Sequence, residues 1–269
     1  MTVPKFHGAR AREVWRCLGT VTDPELDEPI TDMGFMERIE VLQSSVVEVD
    51  FRLPTYWCSP NFAFLMADGI NRAVRSLPWV DRVKVRLQDH CFAEDVNAGV
   101  NGDKPFEEVF SKLTEGADLN DVREKFREKA FLRRQEPLII ALGAMGWSNA
   151  RIAALTLTEF DRTSFAADPQ ACAQKPRYRE ILIDDGLACM PDDPVFVDYS
   201  GNPIMVEDMT EHLRRLRAIR INMEFNGAMC RGLLATRYKE ADLTGREPEL
   251  IDFIAGRVPA RMAQTERAG

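Results

Sequence analysis

The stretch Val46-Val47-Glu48-Val49-Asp50-Phe51-Arg52-Leu53 alternates apolar and charged side chains with a period of two. This alternation is typical of a β-strand with one face toward a core and the other toward solvent. The apolar residues are predicted to point inward, and Glu48, Asp50 and Arg52 to point outward. The rest of the N-terminal region is organised around this strand.

Patterns on either side of this strand predict a small α/β domain. Phe35–Leu42 is a second strand pattern, joined to the first by a Gln43-Ser44-Ser45 turn. Asn61–Leu77 carries apolar residues at helical spacing, and Val80–Leu87 returns to the strand pattern. A further helix is predicted over Arg10–Leu18. The predicted order is helix, strand, strand, helix, strand, with a mixed three-stranded sheet of the α+β or α/β class.

The helix between the second and third strands forms a β–α–β crossover, which should be right-handed and should leave its two strands parallel. The carboxyl ends of parallel strands lie at one edge of a sheet, where open α/β sheets bind ligands. The segments leaving these ends are Pro54–Pro60 and Gln88–Glu94. We therefore expect Cys58 to lie near His90 and Cys91.

Changes in the pattern of predicted strands, helices and charged residues along the chain predict three regions. Residues 1–103 are the α/β domain, residues 104–135 a charged helical linker, and residues 136–269 a mainly helical C-terminal domain. A small hairpin is predicted within Pro194–Val206. Helices of the last region are predicted at Leu138–Met145, Asn149–Leu157, Glu207–Met223, Gly227–Tyr238 and Glu249–Ile254.

Length and composition exclude several protein classes. The chain has 269 residues, of which 45% are hydrophobic and 29% charged, a globular balance that excludes disorder throughout. No apolar run reaches the roughly 18–20 residues needed to span a bilayer, and no secretory signal is recognisable, which predicts a cytoplasmic protein. The net charge of −8 argues against non-specific nucleic-acid binding. With three histidines and no Ser–His–Asp order, phosphate loop or dinucleotide fingerprint, an assembly factor is favoured over a conventional enzyme.

The six cysteines include no CxxC pair, which excludes a zinc ribbon or thioredoxin motif. Cys58 lies just before a predicted helix, where the helix dipole is expected to depress its pKa and make it nucleophilic or metal-binding. The alternative is a thiol that fills a gap beneath the helix. The pairs Cys189-Met190 and Met229-Cys230 are typical of core filler. His212, among arginines, is predicted to be a surface or capping residue.

Asp89-His90-Cys91 follows the third strand. One imidazole and two thiolates, with Asp23, Glu25 or Glu94 nearby, would supply the mixed nitrogen, sulfur and oxygen ligands that suit iron or zinc. The alternative is that the His–Cys pair caps the strand and fills core. The Asp-Pro-Glu turn at 23–25 has its own alternative as a solvated surface turn.

Four motifs within residues 8–103 occur in a specific order. They are Val21-Thr22-Asp23-Pro24-Glu25-Leu26, Ile30-Thr31-Asp32-Met33-Gly34-Phe35, Leu53–Pro60 with its single cysteine, and Leu77-Pro78-Trp79-Val80. Together with the paired strands, they resemble the small metal–sulfur cluster assembly family, the PaaD/SufT-like proteins related to the cytosolic iron–sulfur targeting factors of eukaryotes.

The resemblance implies help in inserting or transferring iron or iron–sulfur clusters through the Asp-Pro-Glu loop and the loop cysteine. The implied site residues are Asp23, Glu25, Leu26, Thr55 and Cys58. This sequence departs from the family pattern, because Pro54 replaces the first Thr of a Thr-Thr pair and Trp57 directly precedes the cysteine. The His–Cys pair at 90–91 also lies outside the general pattern and is interpreted as a specialised addition.

The resemblance does not cover residues 104–269. Arginines at Arg214, Arg215 and Arg217 are candidates for a surface that docks a client protein, with an ordinary exposed helix face as the alternative. Family members with such extensions resemble accessory proteins of bacterial multicomponent di-iron monooxygenases, which implies an oxygenase component as client. The rival hypothesis is a metal-free chaperone or docking module, in which the region around Asp23 and Cys58 binds peptide. The sequence leaves open whether the chain forms a homo-oligomer.

Overall fold

The computed structural model describes residues 8–42, 45–111 and 119–237. Its first elements follow the predicted order: α1 (Ala9–Leu18), β1 (Met36–Val41), β2 (Val46–Arg52), α2 (Pro60–Arg75) and β3 (Arg82–Gln88). The later elements are all helical: α3 (Ala93–Asn101), α4 (Phe106–Val109), α5 (Leu119–Ala144), α6 (Asn149–Ala153), α7 (Leu157–Arg162), α8 (Pro169–Asp184) and α9 (Met209–Arg237). The predicted fold class is confirmed. Over these three ranges, no helix has the length and apolar character that crossing a bilayer requires.

The sheet has the order β1-β2-β3. The first pair is antiparallel, with Val41 opposite Val47, and the second is parallel, with Phe51 opposite Leu87. The parallel pair confirms the predicted crossover through α2. Since the last paired residues are Arg52 and Gln88, the loops that follow β2 and β3 leave the sheet at the same edge.

One face of the sheet carries the core of the N-terminal elements. The inward residues of β2 are fully buried, as predicted, and they pack with buried residues of β3 and α2 in one cluster. Burying each large apolar side chain is worth about 1.5–3 kcal/mol, which makes this cluster the main stabilising feature of the region. Its central members are Val47, Val49, Phe51, Val83, Val85, Leu87, Ala67, Ile70 and Val74.

The opposite face of β2 is less open to solvent than predicted, since Asp50 is 3% and Arg52 8% exposed. The Asp50 carboxylate accepts hydrogen bonds from Arg38 Nε at 2.9 Å and from Arg86 Nε at 2.8 Å, one on each neighbouring strand. Gln88 Nε2 donates a further bond of 3.1 Å. The alternation fixes the direction of these side chains, but charge pairing across the three strands covers them.

Helix α3 was not predicted from the sequence, and it lies along the free edge of β3. The Asn97 side chain accepts a hydrogen bond from Leu87 N–H at 2.7 Å and donates one to Leu87 C=O at 3.0 Å. Asn101 makes the same pair of bonds with Val85, at 2.9 and 2.8 Å. Two amide side chains thus satisfy backbone groups that a fourth strand would otherwise pair.

The described chain divides into two compact units. The first contains the residues up to 122 together with 225–237, and the second contains residues 123–224. The predicted boundaries, 1–103, 104–135 and 136–269, remain a prediction about independent folding. The division shows that the last turns of α9 pack with the N-terminal elements, although they are distant from them in sequence.

Several predicted elements of the C-terminal region need correction. Part of the charged segment and most of Leu138–Met145 form the single helix α5, which continues through Pro137 and ends at Ala144. The two helices predicted over residues 207–238 are the single helix α9, and α8 was not predicted. The predicted hairpin is reduced to an isolated bridge between Val197 and Pro203. The helix predicted over Glu249–Ile254 and most of the 43–45 turn lie outside the described residues.

The second unit has its own core, built around a buried polar group. Gln135 Nε2 donates to the Tyr178 hydroxyl at 3.0 Å and to Val197 C=O at 2.7 Å, and Gln135 Oε1 lies 2.6 Å from His212 Nε2. His212 is therefore a buried hydrogen-bond donor and not a surface residue. Cys189 is exposed and Met190 is 64% exposed, which corrects the interpretation of that pair as core filler.

Candidate functional site

The segment Thr22–Pro29, which we call the acidic loop, is closed by its own backbone. Thr22 and Pro29 form a β-bridge, and Asp23 N–H donates to Glu28 C=O at 2.9 Å. The Asp23 carboxylate accepts from the backbone N–H groups of Glu25 and Leu26, both at 2.9 Å. Asp23 thus fixes the shape of the loop, while Leu26 anchors it in the core with 1% exposure.

Asp23 is buried, and its carboxyl does not ionise as an ordinary aspartate does. Burial raises its pKa to about 6, and the negative charges of Glu25 and Glu28 act in the same direction. The two backbone hydrogen bonds lower the pKa but do not outweigh these effects. A carboxyl of this kind exchanges protons near neutral pH, which is unusual for aspartate and typical of functional sites.

The segment Pro54–Ser59, which we call the cysteine loop, connects β2 to α2 and carries Cys58. Burial raises the pKa of the Cys58 thiol to about 12, and the charges of Asp23, Cys230 and Glu25 contribute. A backbone hydrogen bond at Ser59, beside the start of α2, lowers the pKa only in part. The predicted depression of this pKa is therefore wrong, because burial and neighbouring acids outweigh the helix terminus. At neutral pH, Cys58 is a protonated, half-buried thiol.

The predicted proximity of the two strand-end loops is found in their backbones. His90 Nε2 lies 2.9 Å from Cys58 C=O, and Cys91 N–H donates to Tyr56 C=O at 2.8 Å. Phe92 N–H donates to His90 Nδ1 at 3.2 Å, so this nitrogen is the acceptor and Nε2 carries the proton. Burial lowers the pKa of His90, which keeps the ring neutral. With both ring nitrogens engaged, His90 holds the cysteine loop in place.

The remaining predicted site residues are distributed around this centre. Thr55 is half-buried in the cysteine loop, whereas Cys91 and Glu94 are exposed. Within the described ranges, no group of three or more His, Cys, Asp or Glu side chains is placed to hold a metal ion. The predicted four- or five-residue ligand set is thus not assembled in this conformation, although the charges of Asp23 and Glu25 in the acidic loop act on Cys58.

The last turns of α9 contribute residues that contact the acidic loop and that the sequence did not identify. Asn226 Nδ2 donates to Glu25 Oε1 at 3.2 Å, and Arg231 pairs with Glu28 at 2.6 Å. Cys230 lies between them in sequence, half-buried against the same core cluster as Cys58. Met229 is 50% exposed and is not core filler, whereas Cys230 does pack against the core. Contacts across about 200 positions leave no local signal in a single sequence.

The three candidate docking arginines belong to the second unit. The side chains of Arg214, Arg215 and Arg217 are well exposed, with Glu211, Glu128 and Glu136 as their respective ion-pair partners. Their exposure is compatible with a docking surface and equally with a solvated helix face. The docking role remains a prediction.

The chemistry of the centre combines soft and hard ligands. The thiol sulfur of Cys58 and the carboxylate oxygens of the acidic loop are ligand types that suit iron. Binding of a metal ion to Cys58 must displace the thiol proton, because the thiolate is the ligand. The acidic loop favours a cation at this position and can accept the displaced proton at Asp23.

Comparison with known proteins assigns the part of the chain that carries this centre. A family model described as iron–sulfur cluster assembly protein matches residues 11–86, which contain the acidic loop and the cysteine loop. The chain is also similar to an uncharacterized protein of Methanocaldococcus jannaschii, with 32% identity over 85 residues, covering 32% of this chain and 87% of the relative. Residues beyond 86, including α9, lie outside the family match. Through its N-terminal α/β region, the chain belongs to the iron–sulfur cluster assembly protein family.

Proposed function

We propose that the protein is a cytoplasmic assembly factor that binds iron or an iron–sulfur cluster as cargo at Cys58 and transfers it to a client protein. The observation that carries this proposal is that the charges of Asp23 and Glu25 act on the Cys58 thiol, which lies inside the region that matches the family. The thiol that follows β2 supplies a sulfur ligand and the acidic loop supplies oxygen ligands, and both types are suited to holding iron.

The raised pKa of Cys58 suits a carrier better than a permanent metal site. A thiol with a pKa of about 12 holds its proton firmly at neutral pH, so that an incoming metal ion competes with that proton. Such competition weakens the bound state and favours release to a client whose ligands are already ionised. Asp23, with a pKa of about 6, is placed to take up and return the displaced proton.

The proposed client is a component of a multicomponent di-iron oxygenase, on the basis of the resemblance of the extended chain. Two large aromatic side chains directly precede Cys58 and are exposed: Trp57 by 76% and Tyr56 by 47%. Aromatic residues of this kind are enriched in protein–protein interfaces. A client that docks on them would meet the cysteine loop directly.

Anaerobic reconstitution tests the cargo. Purified protein is incubated with ferrous iron and sulfide, desalted, and analysed for iron content, visible absorption and Mössbauer spectrum. We expect bound iron in the wild type and its loss in Cys58→Ser. The matched control is Cys172→Ser, because Cys172 is exposed in the second unit and should leave the iron content unchanged. Equal iron content in wild type and Cys58→Ser would contradict the proposal.

A metal-free docking module is the second candidate function. It is supported by one observation, that Trp57 and Tyr56 expose large aromatic side chains beside Cys58, which suits a protein interface with or without a metal. The test is capture of a purified di-iron oxygenase subunit by the metal-free protein. Equal capture by wild type and by the Cys58→Ser, His90→Ala and Cys91→Ser variants, with no iron bound in reconstitution, would favour this function.

A further inference from the structure

The last turns of α9, residues 225–237, dock on the acidic loop through directed contacts. Arg231 Nη1 lies 2.6 Å from Glu28 Oε2 and 3.2 Å from the sulfur of Met33. One helical turn earlier, Asn226 donates to Glu25 at 3.2 Å. These partners are separated by about 200 positions in sequence, so their pairing is a feature of the tertiary fold.

The other end of the same stretch is held at the carboxyl end of β3. Arg237 Nη2 lies 2.8 Å from the Asp89 carboxylate and donates to Asp89 C=O at 3.0 Å. The Arg237 guanidinium carbon also lies 5.9 Å from the centre of the Tyr56 ring, in the cysteine loop. The helix stretch therefore runs from the acidic loop to both strand-end loops.

Helical spacing places Cys230 on the docked face. Residues 226, 230 and 234 follow one another at intervals of four and lie on one side of an α-helix. Burial agrees with this placement, since all three of these residues, Asn226, Cys230 and Leu234, are half-buried. The residues that directly precede them in the chain, Phe225, Met229 and Leu233, are exposed. Cys230 thus faces the N-terminal elements between the contact of Asn226 and the packing of Leu234 near Gly34.

The two half-buried thiols share one environment. Both Cys58 and Cys230 pack against the same core cluster. The charges of the same two carboxyl groups, Asp23 and Glu25, raise the pKa of both thiols, and Cys230 also raises the pKa of Cys58. Burial raises the pKa of Cys230 to about 11, so that this thiol is protonated at neutral pH, as Cys58 is.

We infer that Cys230 is the second thiol of the site, and that Cys58 and Cys230 together bind one thiophilic ion between β2–α2 and the end of α9. This inference rests on the proposed function and adds a ligand from outside the residues that match the family. On binding, each S–H bond breaks and a sulfur–metal bond forms. The two protons pass to the acidic loop or to solvent, and no electrons are transferred.

Cobalt(II) titration under anaerobic conditions tests the second thiol, with thiolate-to-metal charge-transfer absorption as the readout. We expect Cys230→Ser to lose about half of this absorption and about tenfold or more in affinity, because a thiolate supplies one of the metal bonds. Cys230→Ala should behave alike, with an unchanged circular dichroism spectrum, and Cys172→Ser should match the wild type. If Cys58→Ser loses the absorption while both Cys230 variants keep it, the inference falls and the proposed function stands.

A metal-independent measurement separates the two claims. Phenylarsine oxide, a trivalent arsenical, bonds to two neighbouring thiols and releases one water. Native mass spectrometry should show one molecule bound to the wild type and to Cys172→Ser, and none bound to Cys58→Ser or Cys230→Ser. Capture without cobalt binding would support the thiol pair and contradict the metal-carrying function. Capture that persists in Cys230→Ser, or none by the wild type, would overturn the inference.

Discussion

Replacing Arg231 with methionine should make Cys58 react several times faster with a thiol reagent. Methionine keeps much of the apolar stem of the side chain but removes the charge that pairs with Glu28. The end of α9 is then less firmly docked on the acidic loop. Since Cys58 interacts with Cys230 on this stretch, loss of the ion pair should raise the fraction of molecules in which Cys58 is open to solvent.

The magnitude follows from the environment of the pair. The Arg231 and Glu28 side chains are 36% and 21% exposed, between the surface and the interior. Exposed ion pairs contribute roughly 0.2–1 kcal/mol and hydrogen bonds to charged groups about 1.5–3 kcal/mol, so about 1–1.5 kcal/mol is reasonable here. Because each 1.4 kcal/mol changes an equilibrium constant tenfold, the open fraction and the labelling rate should rise about 5- to 12-fold.

The assay is alkylation by iodoacetamide, followed by mass spectrometry of the peptide that contains Cys58. Cys230 is unsuitable as the readout, because the Arg231 charge lowers the pKa of that thiol and its removal changes the thiol's own reactivity. Arg72→Met is the matched control, since it removes an exposed ion pair with Asp68 on α2. Equal rates in wild type and Arg231→Met, or the same increase in the control, would refute the reasoning.

Four further predictions concern stability, measured by urea unfolding. Gly99→Ala should destabilise the protein by about 1–3 kcal/mol, because the new Cβ would lie 2.5 Å from a methyl carbon of Val109. Gly143→Ala has open space around it and should instead stabilise α5 by about 0.5–1 kcal/mol. Asp50→Asn should cost about 1–3 kcal/mol, because the paired arginines on β1 and β3 lose a buried anionic acceptor. Burial, helped by the Arg215 charge, lowers the pKa of His212, so the unfolded chain binds the proton more readily and stability should fall as pH drops below 6.5. This decrease should be smaller in His212→Gln, and an identical pH dependence in both proteins would contradict the assignment.

The topology of the N-terminal region could be predicted because its signals are local. The alternation in β2 and the helical spacing in α2 each need only neighbouring residues, and the crossover rule then brings Cys58 and His90 together. Helix α3 was missed because its helically spaced buried positions are only Val96, Gly99 and Val100, and one of them is a glycine, which is a weak helix signal. Its position depends on Asn97 and Asn101, and their hydrogen bonds with β3 cannot be recognised from a pattern in the sequence.

The electrostatic state of the site could not be predicted, because it depends on residues distant in sequence. A cysteine before a helix suggests a low pKa, but Cys58 is buried and lies beside Asp23, some 35 positions earlier, and Cys230, some 170 positions later. The same holds for Arg231, whose partner Glu28 is 203 positions away. Local rules identify which side chains carry chemistry, whereas only the packed chain determines their protonation.

The amide side chains along β3 have a consequence for association between molecules. An exposed strand edge is a template on which a strand of another copy can pair, and this is a common start of aggregation. In β3, the outward backbone groups of Val85 and Leu87 are already hydrogen-bonded to Asn101 and Asn97. Two residues outside the hydrophobic core therefore prevent another strand from adding to this side of the sheet.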